Sequence, residues 1–289
     1  MTEIIAEVGE CFNGDMETAH RMIQAAKDCG CDVVKFQILD MAEVAADDPE
    51  YDWFAKIALD RARIHTLIAW AQAAGIRILF TPVSLRTAAW LVEEGQTVVK
   101  IASSFVKKQE LLAYINAHFA TVYASTGMAG LDDVNRLVAA LDNVKHIKLL
   151  HCVSEYPTGP LLDERGLRAL DERDAHLQMM AMLKALYPDI PVGYSDHTDD
   201  IFVPTVAAAM GAELIEKHFT LDRATPIRHY EQGLEYMGTD HVLSVEPSKL
   251  KEMVQQIRRV EAVRGPWRWE RSAGERILID FLQGRYQKR

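Results

Sequence analysis

The amino-acid sequence predicts an α/β protein of the TIM (β/α)8 barrel class. Short apolar runs alternate with segments of helical periodicity eight times along the chain. Strict alternation of this kind implies a parallel sheet, and eight units imply that the sheet closes into a barrel. The length of 289 residues is ordinary for one such domain.

Each predicted strand is a short run rich in Val, Ile and Leu that ends at a glycine, a proline or a polar residue. The eight predicted strands span residues 4–8, 32–37, 77–80, 97–101, 121–124, 146–151, 190–192 and 212–215. Each predicted helix carries apolar residues three or four positions apart. The eight predicted helices span residues 15–29, 64–74, 85–94, 107–118, 131–141, 163–186, 201–210 and 246–264.

Two segments fall outside this alternation. Residues 38–61 are long and acidic, and they predict a loop with a short helix. The sequence Gly265-Pro266-Trp267 ends the last long helix. We therefore assign residues 1–265 to the barrel domain and 266–289 to a short C-terminal helical tail, with one helix over 275–282.

Composition excludes several classes of partner. The formal charge is −10 with a pI near 5.5, and the absence of basic runs argues against nucleic acid. No apolar run approaches the length of a membrane span. The four cysteines do not have the spacing of a zinc knuckle, and the chain enters a strand directly without a signal peptide. We therefore expect reduced thiols and a cytoplasmic protein.

Two histidines stand just beyond neighbouring predicted strands. His197 follows the run 190–192, and His218 follows the run 212–215. Because the carboxyl ends of parallel strands meet at one edge, the two imidazoles can reach one metal ion, and imidazole suits Mn, Fe, Co and Zn. The alternative is that both are ordinary polar residues at strand ends.

Further polar side chains lie near the same ends of the strands, where barrel enzymes place their active sites. Lysine, serine and threonine converging from several strands suit a phosphate or a carboxylate. The residues in this group are Glu7, Lys35, Gln37, Thr81, Lys100, Ser103, Ser125, Ser154, Tyr156 and Ser195.

Several of these residues lie in motifs that resemble the sialic acid synthase family. The motifs occur in family order over about residues 4–264, and together they are highly specific. They read IAEVG at 5–9, VVKFQ at 33–37, TP at 81–82, KIAS at 100–103, STGM at 125–128, LHCVSEYPT at 150–158, GYSDHT at 193–198, EKHFTLD at 216–222 and GTDH at 238–241.

The resemblance implies a condensation of phosphoenolpyruvate with an open-chain aldose such as an N-acyl mannosamine. A divalent ion, Mn²⁺ with Mg²⁺ or Co²⁺ as alternatives, would be held by His197 and His218 and polarise the aldehyde. Carbon 3 of phosphoenolpyruvate attacks the aldehyde, water adds at carbon 2, and phosphate leaves by C–O cleavage. The product is a nonulosonate or a related 3-deoxy-2-keto sugar acid.

The resemblance also implies individual roles. Glu7 matches an active-site glutamate, Asp240 an acid near the metal, and Gln37 and Tyr156 match positions on the acceptor side. The positions that hold phosphoenolpyruvate correspond to Lys35, Thr81, Lys100, Ser103, Ser125, Ser154 and Ser195. We expect a homo-oligomer.

The chain also departs from the family pattern. The Asn-His pair that usually follows the first motif is absent from Gly9-Glu10-Cys11-Phe12-Asn13, Phe105 replaces a glutamate, and Ser154 replaces an asparagine. Most members carry a C-terminal antifreeze-like domain that delivers an arginine to the acceptor site, and the sequence up to Arg289 does not include it.

The segment from Arg223 to Gly238 is about ten residues longer than the usual link. We therefore predict that this segment folds over the barrel mouth and that Arg228 replaces the absent arginine. The alternative is a solvated surface loop.

Two other functions remain open. The first keeps the condensation and uses a different aldehyde. The second is a non-catalytic barrel that binds a phosphosugar. Intact His197, His218, Lys35 and Lys100 argue against the second, and Phe105 argues slightly for it.

Overall fold

The computed structural model describes residues 1–48, 50–157, 166, 168–225, 228–231, 234–237, 239–266 and 268–286, with the backbone alone for 228–231, 234–237, 239, 280 and 286. All descriptions below concern these residues.

Eight parallel strands form the barrel, in the hydrogen-bonded order β3-β2-β1-β8-β7-β6-β5-β4. The strands β3 and β4 are themselves neighbours, so the sheet closes on itself as predicted. The barrel strands are β1 Glu3–Glu7, β2 Val33–Ile38, β3 Arg77–Pro82, β4 Val98–Ile101, β5 Thr121–Ser125, β6 His146–Cys152, β7 Val192–Asp196 and β8 Leu214–His218. A separate antiparallel hairpin follows, formed by β9 Arg228–Glu231 and β10 Leu234–Met237.

Helices separate the strands and cover the outside of the barrel. They are α1 Met16–Asp28, α2 Tyr51–Ile57, α3 Arg61–Ala74, α4 Leu85–Glu93, α5 Gln109–His118, α6 Leu131–Ala140, α7 Gln178–Leu186, α8 Phe202–Ala209, α9 Thr239–Leu243, α10 Pro247–Arg264 and α11 Ala273–Tyr286. Short 3-10 turns occur at Met41–Glu43, Ser103–Phe105 and Glu172–Asp174.

Local sequence explains how these helices start. The Asp15 carboxylate accepts hydrogen bonds from the backbone N–H groups of Glu17 and Thr18, which caps α1. A capping box of Ser84 and Thr87 starts α4 directly after the third strand. These caps fix where each helix begins and so fix the short loops at the mouth of the barrel.

The interior of the barrel holds two layers of different chemistry. The lower layer is apolar and packs together Ile5, Val33, Leu79, Tyr123, Leu150 and Leu214. Because strand side chains alternate with period two, residues two positions further along face the same interior. Thus Ile5 is followed by Glu7, Val33 by Lys35, and Leu214 by Glu216. The apolar layer therefore closes the barrel beneath a charged upper layer.

The strands β7 and β8 run further than the sequence prediction placed them. Both continue beyond the apolar runs, to Asp196 and His218, so His218 ends its strand rather than following it. The barrel accepts polar residues here because Ser195 and Glu216 pair with each other inside it, while Asp196 and Lys217 pair with each other on the other face of the sheet.

One predicted helix is wrong over part of its length. The segment 163–186 was expected to be helical throughout, but α7 begins only at Gln178. Before it, Asp171 caps a 3-10 turn and His176 takes a left-handed φ of 47°, which interrupts the helix. Residues 158–165 and 167 lie outside the described part of the chain.

The other predicted strands, helices and loops agree with the structure within a few residues. The region 38–61 is a loop with the short helix α2, and the tail forms α11. The four cysteines are buried and free. No helix in the described ranges combines the length and the hydropathy needed to cross a bilayer.

Candidate active site

Two lysines and two glutamates form the charged floor of the barrel mouth. Lys35 Nζ lies 3.1 Å from Glu7 Oε2 and 3.3 Å from Glu216 Oε1. Lys100 Nζ lies 3.1 Å from the same Glu216 oxygen, and the Ser195 hydroxyl donates to it over 2.9 Å. All five side chains are buried. The strand register produces this cluster, because β1 pairs Glu7 with Lys35 on one side and with His218 on the other.

Burial and neighbouring charge shift the acids of this floor in opposite directions. Burial would raise the pKa of Glu216, but Lys100 and Lys35 outweigh burial and hold that pKa well below its usual range. Burial raises the pKa of Glu7, and the charge of Glu216 raises it further, although Lys35 opposes both. Glu216 is therefore the counter-ion of the lysines, and Glu7 is the acid of the pair that holds a proton more readily.

A wall of small hydroxyl side chains rises beside the floor. The Gly127 N–H donates to Ser103 Oγ over 3.1 Å, and the Ser154 hydroxyl lies 3.3 Å from Cys152 Sγ. A Cβ atom on Gly127 would stand 2.1 Å from Ser154 Oγ and 2.7 Å from Ser103 Oγ, so glycine lets both hydroxyls approach. Ser125 Oγ is buried without a hydrogen-bond partner among the described residues. Such a donor is suited to an anionic ligand.

The two histidines face each other at the same mouth of the barrel. Their ring centroids are 5.3 Å apart. His197 Nδ1 lies 2.7 Å from the Val153 carbonyl oxygen, which only accepts, so Nδ1 carries the proton. The Tyr156 hydroxyl oxygen lies 2.9 Å from the other ring nitrogen, His197 Nε2.

Asp240 completes this corner from the start of α9. Asp240 Oδ1 lies 3.7 Å from His218 Nδ1, which has no hydrogen-bond partner in the described part of the chain. Burial, and then the nearby Glu10 and Glu7 carboxylates, raises the pKa of Asp240 to about 8. Burial, followed by His197 and Lys35, lowers the pKa of His218 well below its usual range. Both shifts come first from burial, which disfavours the charged form, and then from neighbouring groups of like charge.

The residues of this corner fit a divalent ion. Two imidazoles that bind one ion at about 2.1 Å place their ring centroids roughly 5 Å apart, which matches the pair here. The orphaned His218 Nδ1 and the Asp240 carboxylate supply nitrogen and oxygen donors of the kind that suit Mn, Fe and Co. Within the described ranges no three His, Cys, Asp or Glu side chains already surround one point. To bind one ion together, the rings and the carboxylate would have to turn toward each other, and His197 Nε2 would have to leave the Tyr156 hydroxyl.

The structure brings the sequence-predicted residues together at this mouth. Thr81 Oγ1 lies 3.5 Å from Lys35 Nζ, and Gln37 Nε2 donates to Glu7 Oε1 over 3.1 Å. Phe105 is partly buried against the hydrophobic core, so no carboxylate replaces the missing glutamate at that position. The side chain of Arg228 lies outside the described residues.

Sequence reasoning missed two members of the site. The motif at 216–222 includes Glu216 but does not single it out. The period-two step from Leu214 to His218 places its side chain inside the barrel. Glu10 appears in the sequence only as a departure from the family's first motif, and in the structure it contacts Asp240 directly. An acid two residues before a strand-end histidine is the signal that could have identified Glu216.

Fold and site together define a (β/α)8 barrel enzyme whose mouth combines a floor of paired lysines and glutamates with a histidine corner. A model described as the NeuB family matches residues 22–268. An N,N'-diacetyllegionaminic acid synthase from Legionella pneumophila is 32% identical, over 91% of this chain and 73% of that protein. An uncharacterized protein from Methanocaldococcus jannaschii is 36% identical, over 91% of this chain and 72% of its own length.

A solved structure shows the same architecture. The N-acetylneuraminic acid (sialic acid) synthetase from Leptospira borgpetersenii, crystallised with citrate, superposes with a TM-score of 0.85 at 30% identity, over 100% of this chain and 93% of that chain. The chain therefore belongs to the NeuB family.

Proposed function

We propose that this enzyme condenses phosphoenolpyruvate with an open-chain aldose of the N-acyl mannosamine type, with a divalent metal ion, and releases a nonulosonate and phosphate. One observation supports this most directly. The two buried lysines of the floor and the two facing histidines open into one barrel mouth above an apolar layer. A mouth of this kind can hold an anionic donor beside a carbonyl acceptor.

The floor and the wall would hold phosphoenolpyruvate. Lys35 and Lys100 offset its negative charge, and the hydroxyls of Ser103, Ser125 and Ser154 donate to its oxygens. The ammonium groups are buried and already paired with Glu216, so they are held in place before the ligand arrives. The apolar layer beneath them excludes water and strengthens these interactions.

The histidine corner would hold the acceptor aldehyde. His197, His218 and Asp240 would bind the ion, which in this proposal is Mn²⁺ and supplies Lewis-acid polarisation of the aldehyde when bound. Tyr156 lies beside His197 and would contact the sugar in this proposal. Glu7 lies between the floor and the histidine corner. Its carboxylate is 3.1 Å from Lys35, and it is the register partner of His218 on the neighbouring strand, so it could hold or release a proton there.

The test is phosphate release from phosphoenolpyruvate in the presence of Mn²⁺, with N-acyl mannosamines, their dideoxy relatives and simpler aldoses as acceptors. Label at the bridging oxygen of phosphoenolpyruvate should leave with phosphate, because C–O cleavage keeps that oxygen on phosphorus. Label retained in the keto acid, or no phosphate release with any aldose, would reject the proposal. Chelator-treated enzyme and the His218→Ala variant are the controls.

One observation favours a changed acceptor within the same reaction. Phe105 offers no carboxylate where the family pattern has a glutamate, and it packs against the core. A simpler aldose that outperforms every N-acyl mannosamine in the screen would support this second candidate.

A further inference from the structure

The loop after β1 forms hydrogen bonds with the start of α9, which carries Asp240. The Glu10 N–H donates to Asp240 Oδ2 over 3.1 Å, and the Asp240 N–H donates back to Glu10 Oε1 over 3.1 Å. This reciprocal pair joins residues that are 230 positions apart in the chain. It fixes both the backbone and the carboxylate of Asp240 from one residue.

Neighbouring contacts hold the same loop rigid. The Trp53 indole N–H from α2 donates to Glu10 Oε2 over 3.3 Å, and Glu10 and Trp53 are both buried. Cys11 Sγ lies 3.3 Å from Ser244 Oγ, and that hydroxyl donates to the Asp240 carbonyl oxygen over 2.7 Å. The loop is therefore held between α2 on one side and the segment after α9 on the other.

Gly9 allows the close approach. Its φ is +51°, and a Cβ atom there would stand 2.0 Å from Asp240 Oδ2. Only glycine combines this backbone conformation with room for the carboxylate. Gly9 and Glu10 therefore accommodate the Asp240 carboxylate in one orientation.

We propose that Glu10 is a positioning residue that aims the Asp240 carboxylate at the histidine corner and so sets the affinity of that corner for a divalent ion. Partners that orient a metal-ligating group commonly change affinity by about 10- to 100-fold when they are removed. Glu10 acts through Asp240, because its backbone N–H contacts the Asp240 carboxylate and its side chain accepts from the Asp240 N–H. The inference rests on the proposed metal role of the corner.

The experiment measures Mn²⁺ binding, by electron paramagnetic resonance of free Mn²⁺, to the full chain and its variants. Glu10→Ala keeps the backbone N–H that donates to Asp240 Oδ2 and removes the side-chain acceptor of the Asp240 N–H. Loss of this anchor should weaken Mn²⁺ binding about tenfold, as for other partners of metal ligands. Glu10→Gln keeps an acceptor for the Asp240 N–H and should retain most of the affinity. The control Glu17→Ala removes an exposed carboxylate at the start of α1 and should bind Mn²⁺ as the unchanged protein does.

A second readout separates positioning from general damage to the fold. Phosphoenolpyruvate binding to metal-free Glu10→Ala should be unchanged, because the floor is held by Lys35 and Lys100 on Glu216, and the wall by the Gly127 N–H on Ser103. Excess Mn²⁺ should restore kcat in this variant. If Glu10→Ala does not fold, Trp53→Phe takes its place, since it removes one donor from Glu10 and keeps the ring. Wild-type Mn²⁺ affinity in Trp53→Phe would then overturn the proposal, and weaker binding would support it.

Two further variants distinguish failure of this inference from failure of the proposed function. If His197→Ala and Asp240→Asn weaken Mn²⁺ binding and Glu10→Ala does not, the role of Glu10 is wrong and the metal corner stands. If His197→Ala weakens binding and Asp240→Asn does not, Asp240 has no role for Glu10 to support. If neither does, the metal role and this inference both fall.

Discussion

Lys217 Nζ lies 2.6 Å from Asp196 Oδ2, and neither side chain has any exposed surface. Lys217 also donates to the Thr198 carbonyl oxygen, and the Thr198 hydroxyl donates to Asp196 over 2.8 Å. Each member of the ion pair is the chain neighbour of a site histidine, Asp196 of His197 and Lys217 of His218. The pair therefore ties together the two strand ends that carry the imidazoles.

Breaking this ion pair should be costly. Lys217→Met leaves Asp196 buried and unpaired, which should reduce the free energy of unfolding by about 3–5 kcal/mol. Urea denaturation at pH 7 measures this change. The control Lys184→Met removes a partly exposed ion pair with Glu213 and should cost less than about 1 kcal/mol. Equal losses in the two variants would contradict the structural role of the buried pair.

Removal of either imidazole should abolish turnover. His197→Ala or His218→Ala leaves the proposed ion with one nitrogen donor fewer, and an aldehyde without its Lewis acid is a poor electrophile. Steady-state phosphate release measures turnover, and circular dichroism verifies that both variants fold. Full activity in both variants, or in chelator-treated enzyme, would remove the metal role.

A methyl group on Gly127 should disturb the hydroxyl wall. In Gly127→Ala the new Cβ meets Ser154 Oγ and Ser103 Oγ, so both hydroxyls have to rotate away. We expect the KM for phosphoenolpyruvate to rise about tenfold, the equivalent of about 1.4 kcal/mol, with little change in the KM for the aldose. Gly95→Ala is a control for the loss of a glycine, because a Cβ there meets nothing within 4 Å, although its φ of +72° carries some strain. An unchanged KM for phosphoenolpyruvate in Gly127→Ala would contradict the assignment of the wall.

The lower end of the barrel should give a pH-dependent contribution to stability. Glu3 lies 2.8 Å from Lys148 and 2.6 Å from Arg77, and the Tyr123 hydroxyl donates to it over 2.9 Å. Burial opposes ionisation of Glu3, but Lys148 and then Arg77 lower its pKa overall.

A carboxyl whose pKa is lower in the folded state stabilises the fold above its unfolded pKa of about 4.3, and this contribution is lost as the pH falls through the folded pKa. Glu3→Gln should therefore lower the free energy of unfolding at pH 7, and the difference from wild type should shrink below about pH 4. Denaturation curves at both pH values test this. A difference that stays constant with pH would show that the charge of Glu3 does not matter.

The segment between β8 and α9 remains the predicted lid. Its backbone forms the hairpin of β9 and β10, and Arg228 is the first residue of β9. Arg228→Ala should raise the KM for the acceptor or lower kcat, because acceptor oxygens left unpaired cost about 1–3 kcal/mol each. Binding of phosphoenolpyruvate should change little. Kinetics like those of wild type would instead indicate a solvated loop.

Local sequence patterns predict the barrel and place most of the candidate site residues at one end of it. Eight alternating strand and helix patterns predict a closed parallel barrel, and parallel strands place their carboxyl ends together. That rule alone gathered Lys35, Lys100, Ser195 and the two histidines at one mouth. The predictions of the barrel and of the shared mouth succeed because they depend on local periodicity and on the order of the elements, and both can be taken from the sequence.

Tertiary structure decided what local pattern could not. The polar ends of β7 and β8 are strand only because Ser195 meets Glu216 and Asp196 meets Lys217 across the sheet. The helix predicted over 163–186 starts late because His176 takes a left-handed conformation. The contact between Glu10 and Asp240 spans almost the whole chain. Burial and hydrogen bonding between distant residues set these features, and no short window of sequence carries that information.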